Sequence, residues 1–190
     1  MANFKEAYKK TMHHEGGYVD DPNDAGGETY KGVARTRNPN WEGWAFVDAR
    51  KGDSNFPKCL DDDDAVQDAV MALYKRKYWD CYRADALSQD VAEELFDTGV
   101  NMGTSRAGRF FQRALNALNR NEKTYADIAV DGAVGSGTIK AYNSLPSKDN
   151  ALLLKILNVL QGARYIEIMD RNQSQEAYAR GWFNRVEINK

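Results

Sequence analysis

Glu15 and Asp24 are the pair of residues in this chain best spaced for acid–base chemistry. The apolar residues Phe4, Ala7, Tyr8 and Met12 recur at helical spacing, which predicts a short amphipathic helix over residues 3–14. Gly16-Gly17 follows and supplies the left-handed backbone that closes a helix, so Glu15 falls at the helix end. Asp24 lies nine residues on, across a turn-rich loop, and Thr29 five residues later at the start of an expected strand. Two carboxylates in unlike surroundings can divide the work of breaking a glycosidic bond. One stays protonated by burial and donates to the leaving oxygen; the other stays ionised and handles water or the developing cation. The chain has 28 acids in 190 residues, so spacing alone does not single this pair out. Asp20 and Asp21 compete with Asp24 for the second role.

Other chemistries find less support. His13-His14 are adjacent, about 100° apart on a helix, and read as a surface pair rather than metal ligands. Asp61–Asp64 lacks the alternation, glycine and closing glutamate of a calcium loop; it reads as the first turn of a helix, where carboxylates suit the positive dipole end. Val130–Gly137 is glycine-rich but lacks the Gly-Lys-Ser/Thr ending of a phosphate loop, and reads as a connection. No Gly-x-Ser-x-Gly elbow or His-Glu-x-x-His motif is present. Trp41 and Trp44 lie in the irregular segment, where exposed rings would stack on sugars, whereas Trp79 and Trp182 read as core. No metal and no organic cofactor is expected.

The elements that must position these residues are mostly helices. Residues 18–57 carry no helical period and are punctuated by Gly, Pro and Asn, with a short strand expected near Thr29–Arg35 in a small hairpin. Helices are predicted from the acidic run through Tyr78, after an N-cap at Ser88, and over Ala107–Leu118. Others are predicted near Thr138–Leu145, over Asp149–Arg171, and from Ser174 to about Glu187 with Tyr178, Trp182 and Val186 inward.

Composition sets outer bounds. Apolar residues make up 42% and charged residues 28%, ordinary globular usage with material for a core. The net charge of −2 argues against nucleic acid as the partner. Residues 1–102 hold 13 basic and 20 acidic side chains; residues 103–190 hold 13 and 8. Arg106, Arg109 and Arg113 share one helical face in that basic half. Cys59 and Cys81 cannot make a disulfide framework. The N-terminus lacks the apolar stretch of a signal peptide, and Ala151–Leu160 is too short to span a bilayer. The expectation is therefore a protein made in the cytoplasm, without stable membrane insertion.

Several motifs in order carry a family resemblance. Glu15-Gly16-Gly17-Tyr18-Val19 and Asp21-Pro22-Asn23-Asp24-Ala25-Gly26-Gly27-Glu28-Thr29 resemble the N-terminal signature of glycoside hydrolase family 108, the lysozyme-like N-acetylmuramidases of phages and bacteria. The likeness continues at Lys31-Gly32-Val33, Ala72-Leu73-Tyr74, Tyr78-Trp79-Asp80 and Leu95–Gly103. Phe111–Leu115, Val130–Gly135 and Arg180-Gly181-Trp182 resemble the accompanying peptidoglycan-binding segment.

The resemblance implies a mainly α, lysozyme-like fold: a helical bundle with a small N-terminal β-hairpin element. It implies a catalytic lobe over 1–102 and a helical lobe over 103–190 resembling a peptidoglycan-binding segment, packed as one compact unit. It implies hydrolysis of the β-1,4 bond between N-acetylmuramic acid and N-acetylglucosamine, with Glu15 as general acid. Similarity to phage-type lysozymes maps the water-flanking pair onto Asp24 and Thr29, and makes inversion the expected stereochemistry. Tyr30-Lys31 before Gly32 departs from the phage-type strand register. The segment from Asn38 to Leu60 is longer than is typical. Tyr18, Trp41, Trp44 and Asn101 are the expected substrate-binding residues. The expected partner is the glycan strand of peptidoglycan, met by a monomer acting as an endolysin or secretion activator after holin-type export or lysis. The alternatives are a non-catalytic peptidoglycan-binding or secretion-accessory protein and a lytic transglycosylase.

Overall fold

The computed structural model describes residues 1–12, 16–21 and 27–187. His13, His14, Glu15 and Asp24 lie outside the described residues. The described chain is mainly α-helical with one small antiparallel sheet, and divides into two compact units, Phe4–Lys77 and Tyr78–Lys190, the latter including Met1–Asn3. Residues 78–102, which the sequence groups with the N-terminal lobe, thus belong to the second unit.

The first unit holds helix α1 (Phe4–Met12), strands β1 (Tyr18–Val19), β2 (Thr29–Tyr30) and β3 (Val33–Ala34), and helices α2 (Gly43–Arg50) and α3 (Asp64–Tyr74). The sheet order is β1-β2-β3, one strand more than the expected hairpin. Lys31 (φ 44°) and Gly32 (φ 75°) both take positive φ, the backbone a two-residue hairpin loop demands. That turn is locked from outside. The Tyr74 hydroxyl donates to the Lys31 carbonyl (2.9 Å), and Lys31 Nζ donates to Gln67 Oε1 (2.6 Å). Gln67 Nε2 in turn donates to the Tyr30 hydroxyl (2.7 Å) and the Leu60 carbonyl (2.6 Å). The hairpin is thereby fastened to α3. Helix α3 starts as the acidic run implies: Asp63 is its N-cap, accepting from the Ala65 and Val66 amides.

Two sequence expectations fail in this unit. Residues 43–50 form a helix where the turn signals imply none. Only Gly43, Trp44 and Val47 of α2 are buried, so the segment shows too few inward residues to reveal a period. Trp41 and Trp44, expected at the surface, are 4% and 3% exposed.

The second unit is built on α4 (Gln89–Met102), α5 (Thr104–Leu118) and α7 (Asn150–Arg171), with the shorter α6 (Ser136–Ser144) and α8 (Ala179–Phe183). Helices α4, α5 and α7 pack together around Leu95, Phe96, Phe111, Leu115, Leu153 and Leu157. Ser88 is the N-cap of α4 as expected, but its side chain makes no capping bond; its amide donates to the Tyr142 hydroxyl (3.0 Å). Gly99 leaves room for Tyr82, whose hydroxyl a Cβ there would meet at 2.4 Å and whose ring at 3.2 Å. The Asp131–Gly135 loop runs against α5: a Cβ on Gly108 would meet the Gly132 carbonyl at 2.2 Å. Gln112 stitches this contact, accepting from the Gly132 amide (2.7 Å) and donating to Asp131 (2.8 Å) and to the Ala133 carbonyl (3.0 Å). The glycine-rich stretch is thus occupied by its own packing.

The C-terminal segment departs from one expected helix. A 3₁₀ turn, Gln173–Tyr178, leads into the five-residue α8. Tyr178, expected inward, is 58% exposed because the 3₁₀ rotation turns it outward, where it stacks on Trp182 with centroids 5.9 Å apart. Trp182 is stacked in turn on the buried Tyr165, at 4.9 Å. No helix of the described residues is long and apolar enough to cross a membrane.

Candidate active site

The described part of the candidate site is the three-stranded sheet and what braces it. Val19 pairs with Thr29, and Thr29 with Ala34. By sequence, Glu15 precedes β1 and Asp24 belongs to the connection from β1 to β2. Thr29 is partly buried, and its hydroxyl donates to the Gly27 carbonyl (3.1 Å). Its oxygen keeps acceptor capacity for a further donor.

Tyr18 sits one strand away. Its ring meets Phe56 edge-on at 4.8 Å, and its hydroxyl donates to Glu28 Oε1 (2.9 Å). Burial, then the Glu28 carboxylate, pushes the phenol up to about 12. Tyr18 therefore stays a neutral donor throughout the range in which carboxyls titrate.

Glu28 is the centre of a network that motif reading passed over. Its side chain is 10% exposed and holds Arg35 Nε (2.6 Å) and Lys51 Nζ (2.8 Å). Arg35 reaches on to Asp48 with both terminal nitrogens (3.1 and 2.6 Å), and Lys51 joins Asp48 at 2.9 Å. The Arg35 bonds, followed by Lys51, pull the Asp48 carboxyl below its usual range. A readable signal existed: one step beyond the Thr29–Ala34 pair, Glu28 and Arg35 face each other across the hairpin, joined by a backbone bond of 2.8 Å. Opposite charges so placed form a favourable cross-strand pair.

Trp41 and Trp44 brace this arrangement from below rather than facing sugar. Their rings meet edge-on at 5.0 Å. The Trp41 indole donates to the Ala69 carbonyl (3.2 Å) and the Trp44 indole to the Asn38 carbonyl (2.8 Å). The Arg35 guanidinium lies 4.3 Å from the Trp44 ring centroid, as cation–π attraction favours. A Cβ on Gly43 would strike the Trp41 ring at 2.1 Å, so this glycine opens the ring's seat. The expectation of two exposed stacking platforms is corrected: indole donors and apolar ring faces find their partners inside.

Tyr18, Thr29, Trp41 and Trp44 thus fall in one unit, and Asn101 in the other. Asn101 is exposed on the last turn of α4, its amide donating to the Asp97 carbonyl (2.8 Å) and side chain (3.2 Å). Asp97 also accepts from Arg185 (2.7 Å) and Gln161 (3.0 Å). Both cysteines are free, and burial pushes the Cys81 thiol up to about 11. Among the described residues no group of His, Cys, Asp and Glu is arranged to hold a metal ion.

The fold is of the mainly α, lysozyme-like class. The structure titled "Structure of Brucella abortus SagA" has the same fold, with a TM-score of 0.62 over 96% of this chain and 88% of that one, at 22% identity. No curated protein matches the chain. Residues 8–103 match the family described as Glycosyl hydrolase 108, and the chain belongs to that family. Residues 106–187 match the "Predicted Peptidoglycan domain". Together the two matches make the chain a glycosyl hydrolase directed at peptidoglycan.

Proposed function

We propose that this protein is an N-acetylmuramidase that hydrolyses the β-1,4 bond between N-acetylmuramic acid and N-acetylglucosamine. Glu15 protonates the glycosidic oxygen. Asp24 stays ionised and, with the Thr29 oxygen, orients water or stabilises the oxocarbenium-like state. The observation that carries this reading is the Glycosyl hydrolase 108 match over residues 8–103, which spans the Glu15-Gly16-Gly17-Tyr18 motif and Thr29. The bracing of β1 and β2 by Glu28 supports it, because general acid catalysis needs groups held at fixed separation. The reaction inverts, by analogy with phage-type lysozymes. The enzyme acts as a monomer on wall that it reaches through a holin-type pore or after lysis.

Mass spectrometry of digested peptidoglycan tests the reading. Products with reducing N-acetylmuramic acid ends are expected. Anhydro-muramic ends would make the enzyme a transglycosylase, and wall binding without cleavage would make the chain a non-catalytic binder.

A further inference from the structure

Helices α5 and α7 pack side by side within the second unit and bring arginines together from both. Arg106 stands in the first turn of α5, which holds no acidic residue. A cation there faces the positive end of the helix dipole, an unfavourable position. Arg109 lies one turn on and is exposed. From α7 come Arg164 and Arg171, seven residues apart and so on one face. The half-buried Arg106 guanidinium is held below its usual value by burial and then by the charge of Arg164, with Arg109 and Arg171 adding to the effect.

Carboxylates relieve this cluster only in part. Glu167 pairs with Arg164 at 2.9 Å and is itself 56% exposed. The Arg164 Nε is buried and has no hydrogen-bond partner among the described residues. Arg106, Arg164 and Arg171 thus gather around Glu167, Arg109 also acts on the Asp131 carboxylate, and an orphaned donor sits among the four. A buried or crowded cation without a partner is costly to keep, and the guanidinium fork matches carboxylate geometry. All four arginines fall within residues 106–187, the stretch that matches the peptidoglycan domain.

We propose that Arg106, Arg109, Arg164 and Arg171 form a binding site for the carboxylates on the peptide stems of peptidoglycan. This rests on peptidoglycan being the substrate polymer, and it adds the part of the polymer that the second unit reads: the stem, not the sugar. Arg113, which the sequence groups with Arg106 and Arg109, does not figure among the charges acting on Arg106; α7 supplies Arg164 and Arg171 instead.

The test is co-sedimentation of the full chain with purified sacculi freed of teichoic acid, native or with stem carboxylates amidated, across a salt series. R106Q/R171Q leaves the Arg164–Glu167 pair intact. It should bind native sacculi about five- to tenfold more weakly at low salt, and with a shallower salt dependence. Wild type on amidated sacculi should fall to the level of the variant on native sacculi. Equal binding by variant and wild type overturns the proposal, as does wild-type binding that ignores amidation or needs teichoic acid. Should the double variant melt early, the exposed R109Q carries the same comparison. Product analysis by mass spectrometry is independent of these measurements. A chain that yields reducing muramic ends yet fails the sedimentation test refutes the stem site alone; one that passes it without cleaving refutes the muramidase reading alone.

Discussion

The Tyr18 hydroxyl and the Glu28 carboxylate are joined at 2.9 Å, and this bond ties β1 to the same acid that gathers Arg35 and Lys51. The carboxylate is almost shielded from water and shares its two cations with Asp48. Glu28→Gln should destabilise the fold by about 2 kcal/mol, and Tyr18→Phe by about 1 kcal/mol. Urea denaturation of both variants checks the order. A Glu28→Gln protein as stable as wild type would mean that Asp48 alone satisfies the cations.

Glu15→Gln should leave the fold intact and remove activity by roughly 10²–10⁴-fold, because the amide cannot donate a carboxylic proton. Turbidity loss of a wall suspension, with circular dichroism as the folding control, measures it. Wild-type clearing by a folded variant rules out Glu15 as the acid.

Asp24→Asn should slow turnover far more than Asp20→Asn or Asp21→Asn, by the nine-residue spacing from Glu15. Steady-state kinetics of the three variants decides it. If Asp20 or Asp21 is the sensitive position, the second carboxylate lies earlier in the loop.

Trp44→Ala should cost about 3–5 kcal/mol of stability, as removal of a buried aromatic does. A sugar platform would behave otherwise: KM would rise while the melting temperature held. Thermal melts and KM measured together separate the two roles.

Asp63→Ala should cost about 1 kcal/mol through loss of the α3 cap. The Arg50 bond, then the Val66 amide, lower the Asp63 carboxyl below its usual 3.8. A depressed folded value gives stability that is present above the unfolded value and lost as pH falls through the folded one. Acid titration of stability below about pH 4 should therefore be flatter in the variant.

What the sequence made legible follows from locality. The helix that starts at Asp64 depends on residues within a few positions, so the acidic run revealed it, whereas the Lys31-Gly32 turn splits the stretch expected as one strand over Thr29–Arg35. The fate of Trp41 and Trp44 depended on Ala69, Asn38 and Arg35 meeting them in three dimensions. Turn-forming neighbours pointed the other way. The same holds for Arg164 and Arg171: α7 reads as a helix, but nothing in its period says that Arg106 lies beside it. At the C-terminus, helical spacing from Tyr178 to Val186 concealed a change from 3₁₀ to α geometry that turns Tyr178 outward.

The stitching of the Asp131–Gly135 loop by Gln112 has a consequence for hydrogen exchange. The Gly132 amide lies in a segment without regular secondary structure, yet it donates to a side chain that is 1% exposed on α5. Its proton can leave only when Gln112 releases the loop. That release also frees the Ala133 carbonyl and breaks the Gln112 bond to Asp131. The loop should open as one cooperative unit, its protected amide tracking the stability of a helix rather than of a connection.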